Sequence, residues 1–372
     1  MIRDFISRLV YTNYQDMRSN KIRLFINIAT IIALGVLLYV SRGQIVNGLK
    51  EIGGAKLSVI LLMIPLQIVN FYAIAKIYQS YFANTNSRHR LPTKVLFKTA
   101  LELNFVNHVF PSGGVAGFSY LGLRLRRYDI RVARTTLAQT IRFGLTFISF
   151  LFLLFFGMFA LSFGSGTSGG GVALFIGLTI TFLTLFLAIS FIYLVSSERR
   201  IRAFTAFLPR LANTLLKGFS RKNLINVDRI ERLFVDFHND YLEIAKDWRQ
   251  LKMPLIWAIV VNLTEVGTVY LAYVALGHLV NPGAVILAYA VASFAGLIAV
   301  LPGGVGVYET LMTAVLATAG VPKALAISAT LIYRIFTWIV FIPLGFVLYQ
   351  MALRKGDVEV PNNAPRTHTN SD

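Results

Sequence analysis

Apolar stretches too long for a water-soluble core constrain this chain more than any other feature. Six run without interruption, over about 24–40, 57–78, 135–160, 172–195, 254–276 and 324–351. Crossing a bilayer takes about 20 such residues, so each is a candidate span. Apolar residues make up 56% of the chain and the mean hydropathy is +0.64. Soluble domains run nearer 45–50% apolar. The sequence therefore predicts an all-α polytopic membrane protein. The formal net charge of +19 raises nucleic acid as a partner, but most of the Lys and Arg lie just beside apolar segments, which argues against it. There is no cysteine, which excludes disulfides, cysteine-ligated zinc and thiol catalysis. No metal or cofactor site is expected.

Two further apolar stretches, about 95–123 and 284–320, are each broken near the middle by helix-breaking residues. The first break is FPSGGVAGF, with Pro111, Ser112, Gly113, Gly114 and Gly117. The second is LPGGVGVYE, with Pro302, Gly303, Gly304 and Gly306. Lys and Arg in short loops set orientation. Only Arg42, Lys50, Lys56 and Lys323 fall outside, and Lys76, Arg142 and Arg334 within apolar segments, if both termini are cytoplasmic. The first broken stretch starts beside Lys94 and Lys98 and ends at Arg124, Arg126 and Arg127, so both its ends are cytoplasmic. Its arms are short for a hydrocarbon core of about 30 Å. It reads as a re-entrant hairpin. The second reads as a hairpin of opposite sense, or as two tilted spans; charge counting does not separate these.

The two halves resemble one another. IPLQIVNFYAIAKIY (64–78) compares with MPLIWAIVVNLTEVGTVY (253–270), which sets Asn70 against Asn262. FPSGGVAGF pairs with LPGGVGVYE, and RVARTTLAQTIRFGLTFI (131–148) with KALAISATLIYRIFTWIV (323–340), which sets Arg142 opposite Arg334. Each half reads span, span, broken hairpin, span, starting on opposite faces. This is the pattern of an inverted-topology repeat: six full transmembrane helices plus two re-entrant broken-helix hairpins. In such folds broken helices meet a cavity near the midplane. Tight helix packing through small residues accounts for the glycines equally well.

Six ionisable residues fall inside apolar segments: Glu102, His108, Arg142, Glu265, Glu309 and Arg334. Asn70, Asn104, Asn107 and Asn262 accompany them. A charge near the bilayer centre costs at least about 2.5–3.5 kcal/mol. Arginine's planar fork suits a lipid phosphate, so Arg142 and Arg334 are candidate phosphate ligands. Glu102, Glu265 and Glu309 would hold the arginines, accept a proton or meet an amine headgroup, with Asn107 and His108 nearby. The alternative is internal Arg–Glu pairing that fixes helix register.

The organisation follows: a cytoplasmic amphipathic N-terminus (1–23), a first membrane repeat (24–160), the first span of the second repeat (172–195), a cytoplasmic helical insert (196–252), the rest of the second repeat (254–353) and a polar tail (354–372) expected to be disordered. Within the insert, Val227, Ile230, Phe234, Phe237, Tyr241, Ile244, Trp248 and Leu251 make a heptad seam. It would pack within the chain, form a homodimer or dock a lipid-modifying enzyme. No catalytic arrangement is visible, so no enzymatic activity is expected.

PGGVGVYE, followed about 25 residues later by LIYRIFTWIVFIPLGF, resembles the lysylphosphatidylglycerol synthase transmembrane-region family of flippase-like integral membrane proteins. PSGGVAG, a basic loop and LAQTIRF resemble its first half. The resemblance implies movement of a phospholipid or polyprenyl-phosphate-linked lipid between leaflets, membrane lipids as partners and a bacterial cytoplasmic membrane as the location. It makes Pro302, Gly303, Gly304, Gly306, Glu309 and Arg334 motif residues, with Pro111, Gly113, Gly114, Gly117 and Arg142 as weaker counterparts. Phe118 stands where relatives carry an acid, and Glu102 would substitute for it in space. Bifunctional relatives add a soluble aminoacyl-transfer domain, so synthase activity is not expected here. Transport of a soluble ion or solute, and a non-transporting scaffold, are the competing readings.

Overall fold

A computed structural model describes residues 49–84, 91–110, 115–130, 132–163, 170–204, 248–298 and 305–355, with isolated positions between 32 and 47 and at 235, 242 and 358. Among the described residues there is no strand. Nine α-helices have defined bounds: α1 Leu57–Asn84, α2 Thr93–Val109, α3 Val115–Leu125, α4 Val132–Phe163, α5 Gly170–Val195, α6 Lys252–Ala275, α7 Pro282–Ile298, α8 Val307–Thr318 and α9 Lys323–Arg354.

Four of the expected spans are present, each a little longer than its apolar run. Leu57–Ala83, Arg134–Leu161, Arg249–Ala275 and Lys323–Arg354 are long and apolar enough to cross a membrane. The stretch at 172–195 is helix α5, which exposes Phe175, Phe182 and Phe186. The two broken stretches become the helix pairs α2/α3 and α7/α8. Their breaks, with Pro111, Ser112, Gly113, Gly114, Pro302, Gly303 and Gly304, lie outside the described residues. So do most of the 24–40 candidate span, the N-terminus 1–23, the 227–251 seam apart from Trp248 and Leu251, and nearly all of the tail after Arg354.

The helix starts follow from local sequence. Pro92 and Pro322 hold extended backbone (ψ of 135° and 130°) immediately before α2 and α9. Proline's fixed φ and missing N–H suit that position. At α7, the Asn281 side-chain oxygen accepts from the Gly283 N–H at 2.8 Å, with Pro282 at the first helical position. At α8, Gly306 has φ of +86°, a conformation that favours glycine. Its N–H donates to Glu309 Oε2 at 2.7 Å, the backward arm of a capping box.

Helices α1 and α6 form the spine. Lys56 N–H donates to Ala275 O at 2.8 Å, Gln67 Nε2 to Thr268 Oγ1 at 2.9 Å, and Asn70 Nδ2 to Val261 O at 3.0 Å and Thr264 Oγ1 at 2.9 Å. Partner numbers fall as those on α1 rise, so the two helices run antiparallel. Interhelical hydrogen bonds of this kind contribute about 0.6–2 kcal/mol each in a membrane. Asn262 faces elsewhere, donating to Thr146 O at 2.9 Å and Ser149 Oγ at 3.0 Å on α4.

Two glycine-mediated crossings flank the spine. Helix α9 lies so close on α2 that a Cβ at Gly345 would sit 2.5 Å from Leu101 O. Helix α7 lies as close on α4, where a Cβ at Gly283 would overlap Gly157 O and sit 2.8 Å from Leu161 N. Small residues permit such approach, and dispersion contacts then hold the helices together where lipid offers no hydrophobic driving force. Phe152, Phe155, Phe156 and Phe159 of α4 are all more than half exposed. An outward apolar face of that size suits hydrocarbon rather than water.

Candidate functional site

A polar cavity of about 230 Å³ opens between α1, α2, α4, α6 and α9. Each helix contributes a stripe set by its 3.6-residue period. From α2 come Ala100, Leu103, Asn104, Asn107 and His108, which share one face; α1 adds Gln67, Asn70, Phe71 and Ile74. Helix α4 supplies Arg142 and α6 supplies Glu265. From α9 come Tyr333, Arg334, Thr337 and Trp338. Five of the seven polar candidates named from sequence thus meet in one place: Arg142, Arg334, Glu265, Asn107 and His108.

The other two lie elsewhere. Glu309 stands behind Arg334, its Oε1 accepting from Arg334 Nε at 2.6 Å while its Oε2 caps α8. Glu102 lies off the cavity stripe of α2, one residue before Leu103, and faces α3. Its Oε2 accepts from Arg124 Nε at 2.9 Å and Tyr120 Oη at 2.8 Å, and both charged side chains are at most 5% exposed. The expectation that Glu102 replaces the acid missing at Phe118 is therefore corrected. Glu102 neutralises Arg124 and ties the α3 arm to the α2 arm.

The two matched arginines differ in their surroundings. The Arg334 side chain is 7% exposed, paired with Glu309, and its guanidinium carbon lies 4.7 Å from the Tyr308 ring centre and 4.5 Å from that of Trp338. Rings on those faces add cation–π attraction. Arg142 has no carboxylate within ion-pair distance among the described residues, and its buried Nε has no hydrogen-bond partner. Its guanidinium carbon lies 4.6 Å from the Phe143 ring centre and 6.0 Å from that of Tyr78. Phe118, matched in the repeat with Glu309, stacks on the same Phe143 ring at 5.7 Å.

The cavity also presents acceptors. Glu265 Oε2 accepts from Tyr333 Oη at 3.0 Å. His108 Nδ1 bonds the Asn104 carbonyl at 2.8 Å; a carbonyl only accepts, so Nδ1 carries the proton and Nε2 is left over. Asn107 Oδ1 is buried without a partner. Gly117, of the first hairpin motif, leaves room for that amide, since a Cβ there would stand 3.0 Å from Asn107 Cγ. Gly306 takes part only through the α8 cap. Gln67, Tyr333, Thr337 and Trp338 did not emerge from sequence. Helical spacing would have found three of them: Gln67 is three before Asn70, and Thr337 and Trp338 are three and four after Arg334. Among the described residues no cluster of His, Asp and Glu could hold a metal ion.

The family model described as the lysylphosphatidylglycerol synthase TM region matches residues 26–345. A UPF0104 membrane protein of Pyrococcus horikoshii is 22% identical over 253 residues, covering 66% of this chain and 72% of that protein.

Proposed function

The chain belongs to the lysylphosphatidylglycerol synthase transmembrane-region family, matched over 26–345, and from that premise we propose that it is a lipid translocase of the cytoplasmic membrane. It moves the headgroup of a phospholipid or polyprenyl-phosphate-linked lipid between leaflets and makes or breaks no covalent bond. The observation that carries this reading is the cavity itself. Two guanidiniums, a carboxylate and several amides line one space among apolar helices, where each charge would otherwise cost several kcal/mol.

The architecture we infer is an inverted repeat with cytoplasmic termini. Helices α1 to α4 have 28, 17, 11 and 32 residues, and α6 to α9 have 24, 17, 12 and 32. At 1.5 Å per residue, 11- and 12-residue arms reach only about 17–18 Å, short of a hydrocarbon core of about 30 Å. That supports two re-entrant hairpins rather than four extra spans. The antiparallel α1–α6 pair is what a twofold axis in the membrane plane would produce. The headgroup passes through the cavity while the acyl chains stay in the bilayer, and the halves rock about the spine.

The test is a leaflet-resolved assay in proteoliposomes. Fluorescent phospholipid in the outer leaflet is bleached by an impermeant reductant, and the protected fraction is followed in time. Wild-type protein is expected to raise exchange well above protein-free vesicles, and Arg142→Gln to lose most of that rate. Wild-type exchange at the protein-free rate for phosphatidylglycerol, phosphatidylethanolamine and a polyprenyl phosphate would remove the reading.

A further inference from the structure

We infer that the two arginines matched in the repeat do unequal work: Arg142 is the group that receives phosphate, and Arg334 is a positioning residue whose charge is already neutralised. This rests on the translocase reading and deepens it.

The asymmetry begins with one position. Where the second half has Glu309, the first has Phe118. Glu309 takes the Arg334 Nε at 2.6 Å, and Tyr308 and Trp338 cover the guanidinium. A guanidinium so held has little freedom to leave its carboxylate for a passing anion. Phe118 offers no charge. It stacks on Phe143, and Arg142 borders the same ring with its Nε unsatisfied. Arg142 and the Arg334–Glu309 pair together leave one net positive charge from these three groups. A guanidinium with an unsatisfied N–H at the wall of a polar cavity suits a phosphate monoester or diester, which accepts two parallel charge-assisted bonds. Glu265 faces the same cavity from α6 with its carboxylate bonded to Tyr333, so the phosphate is taken at the α4 wall, on Arg142. The α9 wall shapes the space without binding the charge.

The phosphate can come from a lipid head or from water, and binding experiments separate the two. Full-length protein in detergent micelles is titrated with short-chain phosphatidylglycerol, with diacylglycerol of the same chain length, and with inorganic phosphate, reading thermal stabilisation and equilibrium binding. Wild type should bind phosphatidylglycerol in clear preference to diacylglycerol. Arg142→Gln should weaken phosphatidylglycerol about tenfold or more, leaving diacylglycerol unmoved, and Arg142→Lys should recover part of the loss. The charge-balanced double variant Arg334→Gln/Glu309→Gln should lose several-fold less than Arg142→Gln. A folded Arg142→Gln that keeps the preference overturns the assignment, as does a double variant that loses as much. Inorganic phosphate binding as tightly as phosphatidylglycerol, through Arg142, overturns the lipid as the source. Arg142-dependent phosphatidylglycerol binding without exchange in vesicles supports this inference while removing the translocase reading.

Discussion

Replacing Gly345 by alanine tests how closely α2 and α9 approach each other. A methyl group there would sit 2.5 Å from the Leu101 carbonyl oxygen and 2.8 Å from Phe105 Cβ. Ordinary contact between such atoms begins near 3.5 Å, so about 1 Å must be found. Neither neighbour can supply it by a rotamer change, because one is backbone and the other is the root of a side chain that packs on Phe346 and Tyr349. The helices must separate. Overpacking of this kind costs about 1–3 kcal/mol. On the scale of about 2–4 °C per kcal/mol for domains of 150–250 residues, the unfolding midpoint should fall by roughly 2–12 °C. The assay is thermal unfolding in detergent micelles with Gly144→Ala as the control. Gly144 lies within α4, and a methyl group added there would meet nothing within 4 Å, so alanine should be neutral or stabilising by up to about 1 kcal/mol. Equal midpoints for the two variants would refute the close crossing.

The ion pairs make two further predictions. Glu309→Gln takes the carboxylate away from a guanidinium whose side chain is 7% exposed, which should cost about 3–5 kcal/mol; adding Arg334→Gln should restore most of it, and a double-mutant cycle on the unfolding midpoint measures the coupling. Glu102→Gln removes the acceptor shared by Arg124 and Tyr120 and should destabilise by a similar amount. Because Glu102 lies outside the cavity, the folded fraction should bind phosphatidylglycerol as wild type does, measured by titration.

The helices were legible because membrane spans write themselves in runs of apolar residues, and both breaks were legible because proline and glycine interrupt those runs. Arg142, Arg334 and Glu265 stood out for the same reason, as charges where charge is costly. Partner choice was harder. Glu102 and Asn107 share α2 and a polar character, and only the 3.6-residue register separates the face turned to α3 from the face turned to the cavity. Glu309 and Arg334 lie 25 residues apart on different helices. Only the turn between α8 and α9, closed by Gly320 at φ of +85°, brings them together. Trp338 and Tyr308 are ordinary aromatic residues in sequence, and their place around a guanidinium is a product of tertiary packing.

The Phe118 position holds the last prediction. An unpaired arginine among apolar helices costs at least about 2.5–3.5 kcal/mol, and the ring of Phe143, 4.6 Å from the guanidinium, offsets only about 0.5–2 kcal/mol. An acid at position 118 would remove that cost, as Glu309 does for Arg334. Phe118 and Arg142 both border the Phe143 ring, which puts position 118 in the neighbourhood of the guanidinium. Phe118→Glu should therefore raise the unfolding midpoint, or lower it less than the lost ring stacking alone would, while weakening phosphatidylglycerol about tenfold by occupying its ligand. Phe118→Leu separates the two effects: it loses the stacking and leaves Arg142 unpaired, so its phosphate preference should persist. If Phe118→Glu binds phosphatidylglycerol as well as Phe118→Leu does, then a free Arg142 is not what the cavity offers to phosphate.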